Sequence, residues 1–377
     1  TIDSYFANAQ YTYDNRYVVS ANYRADGSSR FAKGHRWGHF GSVGAAWIFT
    51  HESFVEPAKE YLSNGKLRFS WGVLGNQNIY SNRHQDLYSI NYSGGQVAYV
   101  WETKGNENLT WERSQQLDIG LEFSIGKYLD AELDYYYKLT DNMLFPYYVA
   151  PSMGYSYYYF NGGEMVNQGV EMQFKVHAVN KQKVKLDIRL NGAHYNNVVT
   201  KLPEGLDISG SYSAGHSIYD IMTKEFVGVD PATGMALYRA YYDADLGGYR
   251  ESNQASTLRD ENRAGDNYIP NVKTYREDHP TANICDTVTI NYNYAGTDYV
   301  GKSYLPKFSG GIGFDLVVYG VSLSANCSYS IGGYGYDATY AQLMGSNQAG
   351  QYNWHTDIRG AWHSDMTDAE KANAKAQ

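Results

Sequence analysis

Two cysteines and eight prolines in 377 residues are few, and no apolar run reaches the about 18 residues that a membrane-spanning helix needs. The first scarcity gives no disulfide framework, although a bridge between Cys285 and Cys327 is conceivable. The last excludes a spanning helix but not spanning strands, whose signal per segment is much weaker. A stripe of Lys and Arg is also missing: 40 acids against 31 bases give a net charge of -9, which argues against a nucleic-acid partner. Neither an initiating Met nor a signal peptide is present, and Thr1 opens inside a strand pattern, so the chain is expected to be a segment of a longer one.

What is abundant is tyrosine, 39 of them, with 38 glycines. Aromatics reach 16% while the mean hydropathy is -0.54. Tyrosine suits a boundary where one end of the side chain is apolar and the other wet, such as a membrane rim or a surface that binds glycan or peptide.

Period-two alternation is the main signal. From Trp111 one face carries Trp111, Leu117, Ile119, Leu121 and Phe123, and the other Glu112, Ser114, Gln116, Asp118 and Glu122. After Gly126-Lys127-Tyr128 the design repeats, with Leu129, Ala131, Leu133, Tyr135 and Tyr137 against Asp130, Glu132, Asp134 and Lys138. Further hairpins are expected over 6–13 and 17–24, over 170–178 and 184–190, and over 308–318 and 321–330. With 38–50 and 66–75, the reading gives about ten strands. Several run longer than the about 5–6 residues usual in soluble proteins and exceed the roughly 9–11 that cross a membrane at a tilt.

The connections sort by length. Asp14-Asn15, 51–65, Gly126-Tyr128, Asn180-Lys183 and Gly320 are short, while 25–37, 76–110, 143–164, 201–305 and the tail after 335 are long. Transmembrane barrels have short periplasmic turns and long extracellular loops. In lipid every backbone group must be paired, so the sheet is expected to close into an all-β, antiparallel transmembrane barrel, apolar face to the lipid bilayer and charged face inward. Arg113 breaks the pattern: its parity is that of the lipid face, and it is expected to snorkel toward headgroups.

A family resemblance rests on several stretches in order. They are Tyr23-Arg24-Ala25-Asp26-Gly27-Ser28-Ser29-Arg30-Phe31, Leu67-Arg68-Phe69-Ser70-Trp71-Gly72, Asn108-Leu109-Thr110-Trp111-Glu112, Tyr135-Tyr136-Tyr137-Lys138, Asn167-Gln168-Gly169-Val170-Glu171 and Val227-Gly228-Val229-Asp230-Pro231 through Gly234. Together they resemble the SusC/RagA family of TonB-dependent outer-membrane receptors of Bacteroidetes. The resemblance implies part of a barrel of roughly 22 strands with a plugged lumen. The plug, the TonB-contacting segment and the first strands would lie upstream, and the last strands beyond Gln377. It implies import of oligosaccharides or peptides, energised through TonB, with a SusD-like surface lipoprotein as lid. From the residues alone, a passive porin, an adhesin barrel and a soluble Tyr-rich glycan-binding protein stay open.

Motifs for hydrolysis, phosphate cradling or paired-Cys metal binding are not found, and no cofactor is expected. His35 with His39, and the Asp-x-Asp start at Asp243-Ala244-Asp245-Leu246-Gly247-Gly248, are weak metal candidates, outweighed by ordinary loop roles. The Tyr-rich stretch Tyr155, Tyr157, Tyr158, Tyr159 and Phe160 is the candidate for substrate or lid contact, against the alternative of a rim girdle. The longest loop, 201–305, is expected to cover the mouth or meet the lid.

Overall fold

The computed structural model describes residues 1–203, 213–247, 267–345, 350 and 353–374. Alternating apolar and polar side chains fit a pleated sheet with unlike faces, and one large sheet holds most of the described strands. Its strands are β1 (Ile2–Tyr13), β2 (Tyr17–Ser28), β3 (Trp37–Trp47), β4 (Leu62–Asn76), β5 (Leu87–Ser93), β6 (Gln96–Lys104), β7 (Glu112–Ile125), β8 (Leu129–Tyr148), β9 (Tyr157–Asn180), β10 (Val184–Lys201), β16 (Phe308–Val318) and β17 (Val321–Ile331). The long strands pair antiparallel in the order β1-β2-β3-β4-β7-β8-β9-β10-β16-β17, each beside its predecessor in the wall. The β5–β6 hairpin stands off this path and touches β9 through two parallel positions, Thr103 with Tyr157 and Lys104 with Tyr158. Within this chain the sheet is open, with edges at β1 and β17.

All ten expected wall strands are present, several longer than the alternation indicated. β8 runs 20 residues and β9 runs 24, so the expected loop 143–164 contracts to 149–156. Likewise 25–37 contracts to 29–36, while 76–110 contains the β5–β6 hairpin. The sorting of connections by length is therefore less clean than expected, because 29–36 and 149–156 at the loop end are no longer than the 48–61 connection at the turn end. That connection holds two short 3-10 helices, Phe49–His51 and Ser53–Ala58.

The turns follow residue chemistry. Asp14 and Asn15 both take φ 49°, a left-handed conformation that Asn and Asp tolerate best among residues with a Cβ. Glu52 then closes this corner, accepting from Tyr17 Oη (2.5 Å), Trp47 Nε1 (3.1 Å) and Arg16 Nη1 (3.0 Å). Donation by Tyr17 above all, then Trp47, holds the Glu52 carboxyl below the usual carboxylate range.

Cross-strand register keeps the two faces apart over the whole sheet. Phe69 pairs with Ile119 and Ile119 with Tyr135; Lys66 pairs with Glu122 and Glu122 with Glu132. At the loop end Phe31, Phe40, Ile79, Leu109 and Trp111 form a buried cluster, with Val73, Leu144 and Tyr159 against it. Phe40 lies so close over Gly75 that a Cβ there would meet its ring at 1.9 Å. Trp111 was expected on the apolar face with Ile119. It precedes the first residue of β7 and instead packs on Phe31 and Phe40, both ring centres at 5.4 Å, and donates to the Arg36 carbonyl at 2.9 Å.

The chain divides into two compact units, the sheet forming the first with 213–218. Among the described residues, the second comprises 219–247, 267–305, 333–345, 350 and 353–374. It holds β11 (Asp220–Lys224) paired with β15 (Thr297–Ser303), a three-stranded sheet of β12 (Phe226–Val229), β13 (Ala236–Asp243) and β14 (Ile284–Thr289), and the helices α1 (Val272–Asp278), α2 (Ala338–Met344) and α3 (Asp368–Ala372). The 201–305 segment is thus built rather than structureless where it is described; 204–212 and 248–266 lie outside the described residues.

Candidate functional site: an aromatic rim and a charged wall

The aromatic stretch is where β9 begins, not a free loop. Tyr148 pairs with Tyr157, Tyr147 with Tyr158, Pro146 with Tyr159 and Phe145 with Phe160. Side chains therefore alternate, and both faces of the ribbon are aromatic. On one face Tyr157 meets Tyr148 (5.5 Å) and Tyr159 (5.9 Å). On the other, Tyr158 meets Tyr147 (5.4 Å) and Phe160 (6.0 Å). Tyr155, 8% exposed, is an anchor: its ring centre lies 4.8 Å from that of Trp101, which holds the β5–β6 hairpin against the β8–β9 tip. The Ser156 amide adds a bond to the Glu102 carbonyl at 3.1 Å.

All five expected residues come together, joined by others the alternation did not single out. Arg83 lies over the rings of Tyr80 (5.2 Å), Tyr157 (5.5 Å) and Tyr159 (5.9 Å) and donates to Thr103 Oγ1 at 3.1 Å. Tyr88, Tyr92 and Tyr99 extend the aromatic surface along the hairpin and are exposed. Such rings stack on sugar rings and peptide groups with little entropy cost. The only signals for these partners were their residue types, because they lie tens of residues away from Tyr155.

Below the rim, the charged face is a lattice of ion pairs across strands. Arg68 on β4 reaches Glu122 (2.7 Å), Glu132 (2.6 Å) and Asp134 (2.9 Å), and Lys66 adds Glu122 at 3.3 Å. His177 lies between Asp187 (2.7 Å) and Asp130 (3.1 Å), and Arg189 meets Asp315 at 3.1 Å. Charges at these positions face a polar interior, where each is paired. Arg113, expected to snorkel, makes a two-pronged pair with Asp141 instead, both contacts at 3.0 Å. Its neighbour across the ladder supplies the charge that headgroups were expected to supply.

The weak metal candidates have local roles. Asp243 accepts from the Asp245 amide at 3.0 Å and from Tyr275 Oη at 2.9 Å, which makes it a cap; Gly248 lies outside the described residues. His39 Nδ1 lies 2.7 Å from Tyr23 Oη. No group of three or more His, Cys, Asp or Glu arranged for a metal occurs among the described residues. Both cysteines are free thiols.

A face that is apolar and exposed, backed by a charged face and rimmed with aromatics, is the arrangement of a membrane barrel wall. The sequence profile described as "TonB dependent receptor-like, beta-barrel" matches residues 1–367. The chain belongs to that family. TonB-dependent receptor P3 of Formosa agariphila is 31% identical over 218 residues, 56% of this chain and 22% of that protein. TonB-dependent receptor SusC of Bacteroides thetaiotaomicron is 28% identical over 228 residues, 58% of this chain and 23% of that protein. The matched part thus spans less than a quarter of the length of these curated relatives. Among solved structures, the RagAB peptide transporter matches with a TM-score of 0.76 at 24% identity, covering 100% of this chain and 38% of that one. That likeness is one of fold. The TonB-dependent receptor wall is of the SusC/RagA type, and its place is the outer membrane.

Proposed function

We propose that this chain is the barrel wall of a TonB-energised importer that takes up oligosaccharides or peptides, and that its aromatic rim contacts the substrate or a SusD-like lipoprotein lid. The observation that carries the reading is the sorted wall: a lipid-facing apolar side, a charged inner side, and aromatics gathered at the loop end. The charged inner side can solvate a wet or protein-filled interior, and the rim offers flat rings to a ligand arriving from outside. The relatives, TonB-dependent receptor SusC and the RagAB peptide transporter, support uptake as the activity of the whole receptor and leave open the cargo of this one. Nothing in the rim pairs a nucleophile with a base, so binding and passage, rather than bond cleavage, are the chemistry it favours.

The test is uptake by cells whose only receptor of this kind is the full-length protein containing this chain. Labelled oligosaccharide and labelled peptide mixtures are supplied separately, with and without TonB. Uptake of one class that stops when TonB is removed supports the proposal and identifies the cargo. Uptake that continues without TonB would make the wall that of a passive pore. Tyr157→Ala with Tyr159→Ala should raise the concentration needed for half-maximal uptake while leaving surface abundance unchanged.

A further inference from the structure

The short turns of the wall do not treat their cations alike. In the first half Arg16 is bound by Asp14 and by Glu52, and Lys59 is taken by Glu56 at 2.6 Å. In the second half two neighbouring turns carry Lys127 and the pair Lys181 and Lys183, all exposed, and none of the three has a carboxylate partner among the described residues. The nearby acids Asp130 and Asp187 point to the charged face, where His177 and Lys175 hold them. In a chain of net charge -9 these two turns gather three lysines.

These lysines stand among tyrosines. Lys127 Nζ lies 5.6 Å from the ring centre of Tyr128, and Lys183 Nζ lies 5.4 Å from that of Tyr319. Backbone bonds hold the turns side by side: the Tyr319 amide donates to the Lys183 carbonyl (2.9 Å), His177 to Tyr128 (2.8 Å) and Gly126 to Tyr61 (2.7 Å). Tyr319 sits at φ 50°, a left-handed conformation that Gly, Asn or Asp would adopt more easily. Its ring is exposed, as are those of Tyr61 and Tyr128.

Tyr128 immediately precedes Leu129, and Tyr319 immediately follows Val318, so the rings lie where the apolar band of the wall ends. That level is the membrane–water boundary, and in an outer-membrane barrel the short turns face the periplasm. We propose that Lys127, Lys181 and Lys183, with Tyr61, Tyr128 and Tyr319, form a headgroup site for anionic phospholipid of the periplasmic leaflet. The ammonium groups meet the lipid phosphate, and the rings lie along the glycerol and upper acyl region. A cationic cluster at this depth is attracted to an anionic membrane surface, and lysine stems can lie along the apolar band while their heads stay wet. A free phosphate ion would use the lysines but gain nothing from the rings.

The test uses the full-length receptor, purified in a nonionic detergent and given phosphatidylglycerol or phosphatidylethanolamine of matched chains, with retained lipid counted by native mass spectrometry. The wild type should keep phosphatidylglycerol in preference. Lys127→Gln/Lys181→Gln/Lys183→Gln should lose that preference by about tenfold or more, and the corresponding Arg triple should keep it. Heat-modifiable gel mobility reports whether each variant is folded; should the triple fail to fold, Lys183→Gln alone should show a drop of several-fold. An unchanged preference in a folded Gln variant would overturn the proposal. So would equal retention of the zwitterionic lipid, or full displacement of the lipid by millimolar inorganic phosphate. None of these readouts depends on what the receptor transports.

Discussion

The wall and the second unit place their apolar side chains in opposite directions. In the wall, large apolar residues such as Phe69, Trp71, Ile119 and Leu323 point outward and are exposed, while Arg68, Asp118 and Glu132 line the other face. In the second unit Val229, Ala240, Ile269, Val272 and Ala295 are buried, as in an ordinary water-soluble fold. One chain thus follows two rules because its two parts meet two solvents. Exposure alone does not say whether an apolar residue is safe to charge; the medium it is exposed to does.

The sharpest way to break this comparison is to place the same charge at two equally exposed sites. Ile119 is 41% exposed near the middle of β7, and Val227 is 43% exposed on β12. Ile119→Arg should cost roughly 2–4 kcal/mol at the lipid midplane and sharply lower the amount of assembled, heat-modifiable receptor. Val227→Arg should leave both assembly and thermal stability within about 0.5 kcal/mol of wild type. Equal effects would mean that both sites see the same solvent, and the lipid-facing assignment would fall.

Next in size is a deletion from each interior. Ile269, 2% exposed, should cost about 2–4 kcal/mol when truncated to Ala, read as loss of hydrogen-exchange protection in β13 and β15. The equivalent interior of the wall is held by charge. Arg68→Met leaves Glu122, Glu132 and Asp134 crowded without their shared cation. Because all four side chains are partly exposed, the expected loss is smaller, about 1–2 kcal/mol in the denaturant midpoint of the folded barrel. Much of it should return in Arg68→Met/Glu132→Gln, since the second change removes one of the repelling charges.

What could be read from the sequence divides along the same line. Where one face meets lipid and the other a polar interior, as from Leu117 to Phe123, alternation is strict and the hairpins can be placed to within a residue or two. Above the apolar band both faces meet water or other loops, and the period disappears. Tyr157 to Phe160 are aromatic on both faces, so the start of β9 reads as a loop although it is paired residue by residue with β8. The β5–β6 hairpin was hidden inside 76–110, and the strands of the second unit, as short as four residues in β12, were too brief to show a period. Trp111 was misplaced because parity was carried one residue beyond the strand. At the rim, composition alone marked the tyrosines; Arg83, Tyr147 and Trp101 join them only through pairing that no local pattern encodes.

The smallest expected effect belongs to the second unit and distinguishes a water-facing turn from the wall. Asp230 accepts from the Thr233 hydroxyl and from the Ala232 amide, and these bonds, the hydroxyl first, hold its carboxyl below the ordinary aspartate value. The same turn carries Gly234 at φ 77°, beneath the Trp362 ring, and Trp362 Nε1 donates to the Pro231 carbonyl at 2.9 Å. A depressed folded-state value means that the carboxylate stabilises the turn at pH values above the unfolded aspartate pKa, near 4. The contribution fades as pH falls through the lower folded-state value. Hydrogen exchange over 230–235 should therefore accelerate modestly as pH falls below about 4, relative to the intrinsic rate. In Asp230→Asn, which does not titrate and whose single Oδ1 can accept only one of the two bonds, the acceleration should vanish. A wild-type turn with no extra exchange over that window would show that the Thr233 and Ala232 bonds do not discriminate between the two protonation states. The Trp362 bond to Pro231, the Gly234 amide bond to the Asp230 carbonyl and the Trp362 ring would then carry the turn at every pH.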